Sequence, residues 1–120
     1  MKPGCTLIAF LHAKPEKRDE LLKILQSFVK PSRAEAACVE YHLHVSNDDP
    51  NLFVFYENWR TREELDQHLQ TPILTSFWPR RLDFLRKDVE IQFITMLSDP
   101  IKVEPVTLAD AWLRHLGQMP

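Results

Sequence analysis

The sequence predicts one α+β domain: a four-stranded antiparallel sheet carrying helices on one face. Three observations predict it. A short apolar run at 5–13 precedes a long stretch of helical periodicity at 16–33. Two strand-like runs, 39–46 and 52–59, are joined by the turn-forming Asn47-Asp48-Asp49-Pro50-Asn51. A second helical stretch opens at Thr61 and leads to a last strand-like run at 89–97. The order is β-α-β-β-α-β.

Each element has its own reason. Residues 5–13 (CTLIAFLHA) are rich in strand formers, and Lys14-Pro15 stops them. Pro15 suits the first turn of a helix. In the helix that follows, Leu21, Leu22, Leu25, Phe28 and Val29 fall on one face. Glu16, Asp19 and Glu20 sit where the helix dipole favours negative charge. The regular helix is expected to end or kink close to Pro31. In the second strand Val39, Tyr41, Leu43 and Val45 alternate with Glu40, His42, His44 and Ser46. The third strand, 52–59, is aromatic and β-branched and forms a hairpin with the second.

Thr61-Arg62-Glu63-Glu64 is a capping box. Leu65, His68 and Leu69 then share a helix face, Pro72 bends the chain, and Pro79 interrupts the apolar-rich continuation through 85. A tail at 101–120 holds a short helical pattern from Thr107, with Trp112 and Leu116 on one side. The domain is therefore expected at 1–100, with 101–120 as an extension. The element order is the ferredoxin-like one. In strand three Phe53, Phe55 and Trp59 oppose Leu52, Val54 and Tyr56, so both sheet faces carry apolar residues. A homodimer covering the second face is the expectation.

Composition narrows the function classes. With 2 glycines in 120 residues, no G-x-G-x-x-G or G-x-x-x-x-G-K loop exists to cradle a nucleotide's phosphates. No cofactor is expected. A formal charge of -2 without a basic stripe argues against nucleic acid as a partner. No stretch approaches the roughly 20 apolar residues of a membrane span. Nothing at the start resembles a signal peptide. Cys5 and Cys38 form no C-x-x-C pair, so a structural zinc site is not expected. The expected setting is cytoplasmic, with two unpaired thiols.

Specific residues carry a resemblance. Ser32-Arg33-Ala34-Glu35, the Asp49-Pro50 turn, Phe55-Tyr56-Glu57-x-Trp59 and the run from Glu64 through His68-Leu69-Gln70-Thr71-Pro72 are similar to the antibiotic biosynthesis monooxygenase domain, over roughly residues 5–97. That resemblance implies a dimeric α+β barrel with ligand pockets between sheet and helices. Members of that family include cofactor-independent quinol and anthrone monooxygenases, haem-degrading monooxygenases and an isomerase of a phosphorylated signalling sugar. Three departures stand out. Ala36-Ala37 replaces a common Pro-Gly before the cysteine of strand two, and Ile73 replaces a second histidine after Thr71-Pro72. The asparagine that haem-degrading relatives carry in strand one is missing from 5–13.

His68 leads the candidate residues, because a neutral imidazole beside a pocket accepts a proton at physiological pH. The competing reading is a core histidine bonded to backbone. The resemblance implies that Trp59 lines the pocket and stacks on a planar substrate; a core or interface tryptophan is the alternative. Glu57 shares the face of Trp59 and is suited to a substrate hydroxyl, or to holding structure. Phe77 packs in the core or walls the pocket. Arg80 and Arg81, with Arg86 and Lys87, form a basic cluster able to attract an anion, or a solvated helix end. His12, His42 and His44 invite a metal, but no fourth ligand converges on them, and no metal site is expected.

Three functions remain in view. The first is a monooxygenase that takes a small aromatic substrate, a quinol or related phenol, together with dioxygen. His68 is then the base and Trp59 the stacking plane. The second is an isomerase of a small phosphorylated or hydroxylated carbonyl compound, with the arginines holding its anion. The third is a non-enzymatic dimeric ligand-binding protein.

Overall fold

Alternation along the strands sets the layering. In the computed structural model, which describes residues 4–98, β1 (Cys5–His12) turns Leu7, Ala9 and Leu11 to one side and Ile8 and Phe10 to the other. β2 (Cys38–Val45) and β3 (Leu52–Trp59) form the hairpin, and β4 (Glu90–Ile94) lies at the far edge. The sheet order is β2-β3-β1-β4, with every neighbouring pair antiparallel. This is the ferredoxin-like α+β arrangement. The tail at 101–120, where a helix was expected from Thr107 with Trp112 and Leu116 on one side, lies outside the described residues. Among the described residues no helix is long and apolar enough to cross a membrane.

One sheet face builds the core. Leu7, Ala9, Leu11, Tyr41, Phe53, Phe55 and Trp59 are buried there against Leu21, Leu25 and Phe28 of α1 (Arg18–Ala34). Leu65 joins them from α2 (Arg62–Leu69), Phe77 from α3 (Pro72–Phe77) and Phe84 from α4 (Arg81–Phe84). Each such large side chain contributes about 1.5–3 kcal/mol by leaving water. The opposite face carries half-buried Ile8, Phe10, Leu52, Val54 and Tyr56, with exposed His42 and His44 on β2.

The helix boundaries follow from local chemistry. Pro15 opens a 3-10 turn (Pro15–Lys17) that feeds α1. Thr61 caps α2: its Oγ1 accepts from the N–H of Glu64 at 3.1 Å and donates to the Glu64 carboxylate at 3.2 Å. Pro72 starts α3, and Pro79 forces a 3-10 turn (Trp78–Arg80) between α3 and α4.

α1 ends at Ala34, three residues past Pro31, as expected. Pro31 and Ser27, whose carbonyl it cannot partner, both lie on the exposed side, where water serves that oxygen. Three expectations need correction. Val39 does not join the apolar face. A bulge between Cys38 and Glu40 leaves it 51% exposed and resets the alternation, so Cys38 and Tyr41 both face the helices. β4 is shorter than 89–97, and all of its residues are exposed, as befits an edge strand. Ala37 needs no left-handed backbone: no described residue has positive φ, so the turn closes without the glycine.

Candidate functional site

Residues from three separate elements meet behind β2. α2 presents His68 inward, one turn after Leu65, and only 1% of it is exposed. α1 ends at Ala34, and the following residue, Glu35, turns its carboxylate back. Oε2 of Glu35 lies 2.7 Å from Nδ1 of His68. In the neutral imidazole Nδ1–H donates to an ionised Glu35, and Nε2 is the nitrogen with the lone pair. β3 places Glu57 on the other side, its Oε1 4.0 Å from Nε2. That separation is too long for a hydrogen bond.

Aromatic rings hold the imidazole in place. The Trp59 ring packs against His68 with centroids 4.3 Å apart and planes tilted by 33°. Tyr41 meets it edge-on at 5.7 Å. Nε1–H of Trp59 donates to Oε1 of Glu57 at 3.0 Å, so the tryptophan fixes the carboxyl as well as the imidazole.

A cavity of about 80 Å³ opens in front of this group, between sheet and helices. His68 and Glu57 line it, together with Tyr41, Phe55, Phe77 and Trp78. Its remaining walls are aliphatic or phenylalanine, and no cationic side chain is among them. An apolar cavity of about 150 Å³ takes up benzene, so an aromatic guest needs this one to widen. Leu69, Trp78, Ile91 and Phe93 form the exposed part of the wall.

Burial pushes Glu57 from 4.5 up to about 7; the Trp59 bond opposes this and the Glu35 charge adds to it. Glu57 therefore holds its proton well above the ordinary carboxylate range. Burial also drives the Tyr41 phenol far above its usual value, with Glu57 reinforcing it, so this hydroxyl stays neutral. Cys38 is raised to about 11, mainly by burial and next by Glu35, which makes it an unreactive thiol.

The Glu57 shift sets a pH dependence. The unfolded chain releases this proton near 4.5 and the folded chain near 7, so the fold binds the extra proton between those values. Its stabilising effect is complete below 4.5 and is lost as pH rises through about 7. Wild-type stability should fall by about 3 kcal/mol from this group between pH 4 and 8. Glu57→Gln keeps an acceptor for Trp59 and should remove that slope. Urea unfolding at several pH values measures it, and identical slopes in both proteins would contradict the assignment.

The structure brings His68, Glu57 and Phe77 to the cavity and leaves three other candidates off it. Trp59 is fully buried behind His68 and is not a wall residue, because its ring fills the space between imidazole and sheet. Arg80 lies over the Phe84 ring at 5.6 Å on the outer surface. Arg81 pairs with Asp88. Neither arginine lines the cavity. Arg86 approaches His12, and Lys87 pairs with Glu90. Among the described residues no cluster of His, Cys, Asp or Glu has metal-binding geometry. Glu35 was not singled out for a role by the sequence, although it stands in the Ser32-Arg33-Ala34-Glu35 motif. Its signal was an acidic residue directly after a helix, and its partner lies 33 positions away.

The fold and site define a small α+β protein with a carboxylate-held imidazole at an apolar cavity. The chain belongs to the antibiotic biosynthesis monooxygenase family, whose model matches residues 5–78. It is 38% identical to uncharacterized protein sll1783 of Synechocystis over 68% of this chain, and the match spans 56% of that protein's length. It is 32% identical to a Bacillus subtilis protein named "Putative monooxygenase YcnE", over 71% of this chain and 90% of that one. The crystal structure of PA3566 from Pseudomonas aeruginosa superposes with a TM-score of 0.76 at 35% identity, covering 82% of this chain and 97% of that one.

Proposed function

We propose that this protein is a cofactor-independent monooxygenase that oxidises a quinol or related phenol with dioxygen, and that it works as a homodimer. The observation that carries the reading is the Glu35-held His68, which lines an apolar cavity together with Glu57. Family membership supports it. A substrate hydroxyl seated about 2.8 Å from Nε2 gives its proton to that nitrogen. Glu57, kept protonated by burial, sets no negative charge against the anion that forms.

The chemistry then belongs to the substrate anion. It passes one electron to dioxygen, giving a substrate radical and superoxide. These combine to form a carbon–oxygen bond and, with a proton, a hydroperoxide. The same carbon loses its remaining hydrogen as a proton while the O–O bond breaks. One oxygen stays as a carbonyl and the other leaves as water. His68 takes the first proton and is placed to return one to the departing oxygen. The dry walls keep bulk water from the intermediates.

The isomerase reading needed Arg80 and Arg81 at the substrate, and their positions give it no support. The dimer rests on the half-buried apolar face of Ile8, Phe10, Leu52, Val54 and Tyr56, which a second copy covers. Sedimentation equilibrium is expected to return twice the chain mass of 14.1 kDa; a single-chain mass contradicts the dimer. Oxygen uptake with naphthalene-1,4-diol and anthrone, in metal-free and flavin-free buffer, tests the reaction. One dioxygen consumed per substrate, faster than without protein, is expected. Proton exchange into the substrate without oxygen uptake would overturn the monooxygenase reading.

A further inference from the structure

The sheet face turned away from the helices carries imidazoles as well as its apolar stripe. His42 pairs across from Tyr56, His44 from Val54 and His12 from Leu52. Directly opposed residues point to the same face of a sheet. A second copy that covers Leu52, Val54 and Tyr56 therefore meets all three rings. His42 stacks beside Tyr56, with centroids 6.4 Å apart and planes 27° from parallel. His44 lies 6.4 Å from His42 on its other side.

Hydrogen bonds hold two of these rings in the neutral form. Nδ1 of His12 accepts from Nη2 of Arg86 at 3.2 Å, and Nδ1 of His42 accepts from Nη2 of Arg33 at 3.2 Å. A guanidinium has donors only, so both bonds need a bare Nδ1. A second proton on either ring breaks its bond and sets two cations side by side. His44 differs: its Nδ1–H donates to the carbonyl oxygen of Val54 at 3.2 Å. Little negative charge stands against these cations. Oε1 of Glu90 lies 3.9 Å from Nε2 of His12, but Lys87 pairs with the same oxygen. Burial, then Lys87 and Arg86, push His12 below its ordinary value, against Glu90 and Asp49. Glu40 acts on the neighbouring Tyr56 phenol.

We propose that this sheet face is an acid-sensitive contact between two copies: it closes while His12, His42 and His44 are neutral and opens when they take up protons. The proposal rests on the reading that the protein works as a homodimer. Two copies bring six of these rings, with their arginines, against apolar surface. Taking a charge out of water there disfavours the protonated form. In a separated chain the rings stand in water and take protons near the usual histidine value of about 6.5. The neutral rings therefore support the dimer fully above about 6.5, and that support is lost as pH falls below it. The fold itself does not weaken through Glu57 in this range, since its held proton stabilises the chain below about 7.

Sedimentation equilibrium of the full chain at about pH 7.5, 6.5 and 5.5 reads the contact without any substrate. Ordinary carboxylates stay ionised across this range. The dimer Kd is expected to rise about a hundredfold or more from the highest pH to the lowest, roughly tenfold per pH unit for each proton taken up on separation. Circular dichroism at the lowest pH should show the chain still folded. His12→Gln and His42→Gln keep a neutral polar head, and each should flatten the rise of log Kd with acid. Adding His44→Gln to both should leave a change below about tenfold. A wild-type Kd indifferent to pH overturns the proposal and leaves the dimer standing. A full response in the triple variant also overturns it, because that chain keeps His68 and His115. Single variants as steep as wild type do the same, which decides the matter even where the triple variant fails to assemble. A single-chain mass at the highest pH removes the dimer, and this contact with it.

Discussion

Replacing His68 by glutamine is expected to lower kcat for quinol oxidation by about a hundred- to ten-thousandfold, the range for loss of a positioned general base. Glutamine retains a polar head at nearly the same length but accepts no proton at neutral pH. Glu35→Gln should act in the same direction through the imidazole. A neutral amide oxygen still accepts from Nδ1–H, but it no longer stabilises the imidazolium formed when the base takes its proton, and its NH2 can select the other tautomer. Because His68 is buried and bonded, both variants must be shown to fold by thermal unfolding before their rates are compared. Steady-state oxygen uptake checks the prediction. Rates within about threefold of wild type in a folded His68→Gln protein would remove the imidazole from the chemistry.

Trp59→Ala should be the most destabilising single change near the site, by about 3–5 kcal/mol. That is a large part of a small domain's total stability. The side chain is fully buried, and β3 holds it between Cys5 and Cys38 on the two flanking strands. Its loss opens a void beside His68 and strips Glu57 of its Nε1–H donor. Trp59→Phe separates these effects, since it keeps most of the bulk and removes the donor. The phenylalanine variant should lose less stability, and its Glu57 should hold its proton to still higher pH. Urea unfolding measures the first point and carboxyl NMR titration the second. A cost below about 1 kcal/mol for Trp59→Ala would show that the indole is not the support described.

Much of this arrangement was legible in the sequence, and the misses have physical reasons. β3 runs from Leu52 to Trp59 as expected, because turn residues bound it on one side and the Thr61 cap follows on the other. His68 was found because helical spacing places it between Leu65 and Leu69 on the inward face. Periodicity gives the face a side chain points to, but not the depth at which it stops. Trp59 was therefore left open between cavity wall and core, and it lies in the core behind the imidazole. The bulge at Val39 breaks an alternation that reads as unbroken in one dimension. Glu35 gained its role only when folding brought the end of α1 to α2. The basic cluster at 80–87 suggested an anion site, but its charges are met by Asp88, Glu90 and aromatic faces that are not apparent from composition.

The proposed chemistry requires that Nε2 of His68 look into a hollow that a guest can enter. Nitrogen-15 NMR of His68, recorded with and without 2-naphthol, tests this most directly. The account predicts a proton on Nδ1, an unprotonated Nε2 in the free protein, and a change in the Nε2 signal as the phenol binds. A proton resident on Nε2 with Nδ1 bare, or an Nε2 signal indifferent to saturating 2-naphthol, would contradict it.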